Sequence, residues 1–253
     1  MNKISVLIIT KNEGHILERT LQSIKSLTDD IVIGDNGSTD NTLEIAKVFN
    51  ANIIQYNWEG FGHAKNIVVK AAKYNWVLAI DADEVPTVAL VEEIKLLTLQ
   101  NENEIFIIKF QNFIGNRKLR FGTWSNVNKM RLFNKNFTSW DDKPIHESII
   151  TPASAKLIHL KSLLNHYCHK DIMEYAQKMT FYGNEMAHRY FEKGKSPSFF
   201  KQYIYPIFLF FYNFIFRLGF LDGSIGFVAA YLYSYYVFIK YNRLYELKNK
   251  NHL

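Results

Sequence analysis

Four short apolar runs, each followed by a helical pattern, set the strongest limit on how this chain can fold. Residues 4–9 (ISVLII), 30–34 (DIVIG), 52–55 and 76–80 (WVLAI) have the length and β-branched content of strands. Helical patterns are predicted near 15–26, 40–48, 62–73 and 87–99. Fully apolar strands that alternate with helices predict an α/β fold with a parallel sheet covered on both faces. In such sheets ligands bind at the carboxyl ends of the strands. Three polar clusters fall at those ends: Thr10-Lys11-Asn12-Glu13, Asp35-Asn36-Gly37-Ser38 and Asp81-Ala82-Asp83-Glu84. Together they predict one site.

Beyond residue 104 the pattern changes to shorter strands with turns, predicted at 105–110, 129–133 and 145–150, as a mixed extension of the sheet. An amphipathic helix is expected at 171–193, and Lys193-Gly194-Lys195-Ser196-Pro197 reads as a linker. Two apolar, aromatic segments follow at 199–216 and 221–241, separated by Arg217-Leu218-Gly219-Phe220-Leu221-Asp222-Gly223. The expected division is a catalytic domain over 1–170 and a helical region over 171–253.

The formal net charge of +6 favours anionic partners. The cations are scattered, with no clustered arm or recognised module, so nucleic acid is not an expected partner. Cys168 is the one cysteine, so no intrachain disulfide can form and a reducing compartment fits. The opening MNKISVLIITKNE lacks the apolar length of a signal peptide and reads as a first strand, which points to a cytoplasmic enzyme.

Asp81-Ala82-Asp83 is the sharpest chemical signal. Two carboxylates one residue apart, just past an apolar strand, can converge on a hard divalent cation and a ribose hydroxyl. A D-x-D triplet alone is weak, because acidic pairs are common in solvated loops. Asp35, at the end of the second strand, adds a carboxylate suited to a base or ribose. Ser38 through Asp40 read as helix capping.

The segments VLIITKNE, VIGDNGSTDNT, FGHAKN and AIDADE, in this order, resemble the family 2 glycosyltransferases with a GT-A fold, and more narrowly the lipopolysaccharide-core β-glucosyltransferase branch. The resemblance covers 3 to about 170, with looser similarity in the tail. It implies a mixed, mainly parallel Rossmann-like sheet with helices on both faces. It also implies inverting, metal-assisted transfer of a sugar from a UDP-sugar, with glucose as first expectation. The acceptor would be a glycolipid or the lipopolysaccharide core.

Residue by residue, the resemblance implies that Thr10 and Glu13 line the nucleotide pocket and Asp35 holds the base or ribose. Asp81 would face the ribose, and Asp83 would bind Mg²⁺ or Mn²⁺ bridging the diphosphate. Lys65 stands where the family commonly has Arg, keeping the charge without the bidentate geometry. His166 is placed just after the presumed last core strand, to complete the metal shell. A general base is also required. Glu147, in Pro144-Ile145-His146-Glu147, is the expected base, with His146 orienting it or touching the acceptor. Asp141 and Asp142 compete for that role. His63, His159 and His169 read as surface or packing residues.

The aromatic segments carry Tyr231, Tyr233, Tyr235, Tyr236 and Tyr241, and tyrosine prefers the bilayer interface to its centre. Helices lying in the head-group plane are therefore expected, with Lys193, Lys195, Lys201, Arg217, Lys240, Arg243 and Lys248 meeting anionic lipid. This would place the enzyme peripherally on the inner face of the cell membrane. Packing on the catalytic domain or in a dimer is the other reading. Two further functions stay open: a nucleotidyltransferase, though TKNEGHILERT is not a glycine-rich phosphate loop, and a catalytically silent scaffold.

Overall fold

A computed structural model describes residues 2–141 and 147–250. The apolar runs form strands β1 (Ile4–Thr10), β2 (Ile31–Asp35), β3 (Asn52–Gln55) and β4 (Trp76–Asp81). Helices α1 (Leu17–Ile24), α2 (Thr42–Val48), α3 (Phe61–Lys70) and α4 (Val88–Leu96) follow in alternation. A short strand β5 (Glu84–Pro86) lies between β4 and α4. α1 buries Leu17, Leu21 and Ile24, one face of a 3.6-residue repeat. The Thr87 hydroxyl accepts the Leu90 N–H and caps α4.

Downstream lie β6 (Glu104–Ile114), β7 (Arg117–Leu119), β8 (Asn128–Asn134) and β9 (Lys156–His169). The strand order is β3-β2-β1-β4-β8-β6-β9-β5, with β7 paired to β6. β3, β2, β1 and β4 run parallel, whereas β8 is antiparallel to both β4 and β6. This is the mixed α/β sheet that the family resemblance implies. Its parallel half carries the three polar strand ends. β1 and β2 are buried almost throughout, because helices cover both faces. The edge strand β3 is half exposed and short, which limits its pairing with another chain.

The chain divides into two compact units, 1–110 with 127–166 and 111–126 with 167–253. The first unit holds a core of β1, β2, β4, α1 and α4, in which Ile4, Ile8, Leu17, Leu78 and Leu90 are fully buried. The second is helical: α5 (Ile172–Glu192), α6 (Tyr205–Phe211) and α7 (Ser224–Lys250). The π-helical turns Phe200–Ile204 and Tyr212–Phe216 extend α6 at both ends into one rod. The 111–126 hairpin belongs with these helices, although the expected division put it in the catalytic domain. The Asp222 carboxylate ties it there, accepting the Arg120 and Phe121 N–H groups at 2.8 and 2.9 Å. The Asp171 side chain caps α5 by accepting the Glu174 N–H at 2.8 Å.

Two sequence expectations need correction. Of the strand expected at 145–150, residues 145 and 146 lie outside the described residues, and the rest forms only a single bridge, Trp140 to Ile149. The helix expected at 221–241 begins at Ser224 and continues to Lys250; in the added turns Arg243 pairs with Glu246 at 2.8 Å and donates to the Asn184 side chain of α5 at 3.1 Å.

α5 and α7 pack closely at Gly183, where a Cβ would lie 2.8 Å from Ile239 Cγ2 and 3.2 Å from the Tyr236 carbonyl oxygen. Gly183→Val should therefore cost about 1–3 kcal/mol through overpacking. The measurement is the urea midpoint, and an unchanged midpoint would contradict this packing.

Candidate active site

β1, β2 and β4 end side by side. Thr10 stands in register with Asp35, and Ile9 with Asp81. Asp35 and Asp81 thus flank β1 at a separation of about 10 Å, two strand spacings. The Thr10 hydroxyl is buried there and has no hydrogen-bond partner among the described residues.

The loops after β1 and β2 are tied together. Ser38 Oγ accepts the Asn12 N–H at 2.9 Å, and Asn12 Oδ1 accepts the Thr39 N–H at 2.7 Å. Thr42 Oγ1 accepts the Glu13 N–H at 2.9 Å, and Asp40 accepts the Gly14 N–H at 3.0 Å. Asp35 is fully buried and holds its own turn, accepting the Gly37 and Ser38 N–H groups at 3.0 Å and the Ser38 hydroxyl at 2.5 Å. Much of its acceptor capacity is used locally, so contact with a base or ribose requires one of these bonds to be exchanged. Burial, and then the Asp35 charge, push the neighbouring Tyr56 hydroxyl up to about 12.

A second cluster is built on charge. Arg131, from β8, donates from Nε and Nη2 to Glu84 at 2.8 and 2.5 Å, and from Nη2 to Asp81 Oδ2 at 3.2 Å. Lys65, from α3, lies 3.2 Å from Asp81 Oδ1 and 2.9 Å from Glu147 Oε1, with its ammonium 4.4 Å above the Trp140 ring. The ions form the chain Glu147–Lys65–Asp81–Arg131–Glu84. Burial alone would raise the Asp81 pKa, but the Lys65 ammonium and the Arg131 guanidinium hold it well below the ordinary carboxylate value. Burial works against the Arg131 charge, yet Glu84 and Asp81 keep its pKa above the ordinary value.

Beside this chain, His166 Nε2 lies 3.5 Å from Asp83 Oδ2. His166 sits inside β9, in register with Glu84, rather than after the last core strand as the sequence suggested. β9 carries Lys, His and Asn among its apolar residues, so its far end was not legible as strand. Burial lowers the His166 pKa, but the hydrogen bond and charge of Asp83 outweigh burial and raise it.

The predicted residues therefore fall into three groups. Lys65, Asp81 and Glu147 are joined by ion pairs, Asp83 meets His166, and Thr10 and Asp35 end β1 and β2 side by side, with Glu13 in the loop after β1. The Glu13 carboxylate is 3.8 Å from His15 Nδ1. Asp142 and His146 lie outside the described residues. Asp141 is engaged locally, its carboxylate accepting the Ser148 N–H and hydroxyl at 3.0 and 3.1 Å. His159 is exposed, His63 pairs with Glu59, and His169 stacks on Tyr175, in keeping with surface and packing roles. Sequence reasoning missed Arg131 and gave Glu84 no role beyond its place in the strand-end cluster. The available signal was a charged residue inside the apolar run Met130-Arg131-Leu132-Phe133, since buried charges require partners.

Among the described residues no group of three or more His, Cys, Asp or Glu could hold a metal ion. Asp83 and His166 supply one oxygen and one nitrogen. Such a pair fits a divalent cation that takes its other ligands from substrate phosphates and water. It does not fit a closed, all-protein metal site.

The glycosyl transferase family 2 model matches residues 5–157. An uncharacterized glycosyltransferase of Rickettsia prowazekii (strain Madrid E) is 32% identical over 263 aligned positions, covering 99% of this chain and 89% of the relative. The lipopolysaccharide core biosynthesis glycosyltransferase LpsC of Rhizobium meliloti (strain 1021) is 27% identical over 255 positions, covering 96% and 92%. The crystal structure of S. aureus TarS 1-349 overlays with a TM-score of 0.48 at 16% identity, covering all of this chain and 92% of that one.

Glu84 is fully buried, so Arg131→Met should strand a buried carboxylate and cost about 3–5 kcal/mol. The double variant Arg131→Met/Glu84→Leu should recover much of that loss. Urea unfolding of the three proteins checks both, and a mild effect in the single variant would contradict the pairing.

Proposed function

The chain belongs to glycosyl transferase family 2, and on that premise we propose that it moves a sugar, with inversion, from a UDP-sugar to a glycolipid or lipopolysaccharide-core acceptor. The observation that carries this reading is the ion chain Glu147–Lys65–Asp81 beside the Asp83–His166 pair, at the carboxyl ends of β1, β2 and β4. Ligands bind at such strand ends in open α/β sheets.

In this reading the Thr10 hydroxyl finds its missing partner in the bound nucleotide, and the loop held by Asp35 shapes the base pocket. Asp81 faces the ribose. Asp83 and His166 hold Mg²⁺ or Mn²⁺, with imidazole favouring Mn²⁺. The bound cation would offset negative charge on the departing diphosphate. Lys65 supplies a second positive charge on the same side and keeps Glu147 in place.

Glu147 is the base. Its carboxylate takes the proton of the acceptor hydroxyl while that oxygen forms a bond to the anomeric carbon. The bond from that carbon to the diphosphate oxygen breaks on the opposite face, and the electron pair leaves with UDP. The lipopolysaccharide-core acceptor is supported by the likeness to LpsC, and glucose by the family resemblance. A cytoplasmic location fits a soluble nucleotide donor.

Two measurements test this. UDP should raise the melting temperature more than other nucleoside diphosphates do, and Mn²⁺ should increase the shift. Indifference to every nucleotide would contradict donor binding. Glu147→Gln should keep the UDP shift and lower transfer by ~10²–10⁴, whereas Asp83→Ala should lose the Mn²⁺-dependent part of the shift. An active Glu147→Gln would move the base to Asp142.

A further inference from the structure

The helical rod from Phe200 to Phe216 is turned inside out. Its buried face carries Gln202, Pro206, Leu209 and Asn213, and the two amide residues are only 5% and 2% exposed. Its solvent face carries Phe200, Ile204, Ile207, Phe208, Phe211 and Ile215, each between 45% and 58% exposed. These recur every three or four residues and so form one continuous ridge. Phe216, at the end of the rod, is 72% exposed. An amphipathic helix of a soluble protein does the reverse, with apolar residues inward and amides outward. An exposed apolar ridge of this length marks a surface that something covers.

Charge narrows what covers it. Between 193 and 221 the chain carries Lys193, Lys195, Lys201 and Arg217 and neither Asp nor Glu. The three lysines are exposed. A second copy docking through the same ridge would set these cations against their own images, because a two-fold interface joins identical patches. An anionic surface meets them with opposite charge. Tyr203 and Tyr212 lie among the phenylalanines and suit a boundary that is apolar on one side and wet on the other. The rod is about 25 Å long, and among the described residues no helix is long and apolar enough to cross a membrane.

We propose that this ridge is a docking surface for an anionic lipid bilayer. The rod lies in the plane of the interface, with Phe200, Ile207, Phe208 and Phe211 among the upper acyl chains. Lys193, Lys195, Lys201 and Arg217 meet the head-group phosphates. The inference concerns the second unit alone and does not depend on the transfer reaction.

The test is sedimentation of the full chain with vesicles of phosphatidylcholine mixed with phosphatidylglycerol, and with phosphatidylcholine alone. Binding to the mixed vesicles is expected, much weaker on phosphatidylcholine and weakened by salt. Each of Lys193→Gln, Lys195→Gln and Lys201→Gln should weaken it roughly fivefold. The combined variant Ile207→Ser/Phe208→Ser/Phe211→Ser should weaken it at least ~10-fold. That variant changes side chains about half exposed to solvent, so an unchanged melting temperature will show that it folds. No sedimentation with either vesicle, or equal binding by parent and triple variant, would overturn the proposal. A dimer that the triple variant dissociates, in a chain that ignores vesicles, would instead assign the ridge to a second copy. Loss of nucleotide binding in the parent chain would sink the donor reading and leave this one standing.

Discussion

The strand-end site depends on the buried pair of Arg131 and Glu84. Neither side chain is tolerable alone in a protein interior, since an isolated buried charge costs several kcal/mol. Together they join β8 to the start of β5, and from that join the rest of the charge chain follows. Arg131 reaches on to Asp81, Asp81 holds Lys65, and Lys65 holds Glu147. Residues separated by up to 82 positions in sequence are thereby placed in one cluster. The chain sets three carboxylates against two cations, and Asp83 adds a fourth carboxylate beside it. A donor diphosphate would bring more negative charge to the same place. Under the proposed function, the divalent cation at Asp83 and His166 reconciles these charges.

The two units separate two kinds of chemistry. In the first unit, helices cover an apolar sheet and its polar groups gather at the carboxyl ends of the parallel strands. In the second, polar amides are buried and aromatic residues face outward. The close approach at Gly183 lets α5 and α7 pack, while the rod around α6 keeps its Phe and Ile ridge uncovered. An inverted pattern of this kind is a cost to a protein in water, and it becomes intelligible once the ridge has an apolar neighbour.

The first hundred residues were legible because β1, β2 and β4 are continuous apolar runs, and their observed limits lie within a residue or so of the expected ones. α5 was equally legible from its amphipathic repeat. The failures share a cause, which is that partner choice decides structure where local pattern is ambiguous. β9 reads Lys-Leu-Ile-His-Leu-Lys-Ser with no clean alternation, and it becomes strand because Glu84, Val85 and Pro86 pair with its far end. The 111–126 hairpin looks like a loop of the catalytic domain until Asp222, a hundred residues later, binds its backbone. Asp81, Asp83 and Lys65 were identifiable from their motifs. That Asp81 would have both oxygens occupied by Lys65 and Arg131 was not, because no motif shows which way Arg131 faces.

The central claim is that Asp83 and His166 hold a cation that binds the donor diphosphate. The most direct test is a crystal structure of the chain soaked with UDP and Mn²⁺, with diffraction recorded at the manganese edge. The account predicts one strong anomalous peak within coordination distance of the Asp83 carboxylate and His166 Nε2, with the diphosphate on its open side. UDP bound at the ends of β1 and β2 with manganese absent from Asp83 and His166, or seated elsewhere, would contradict it.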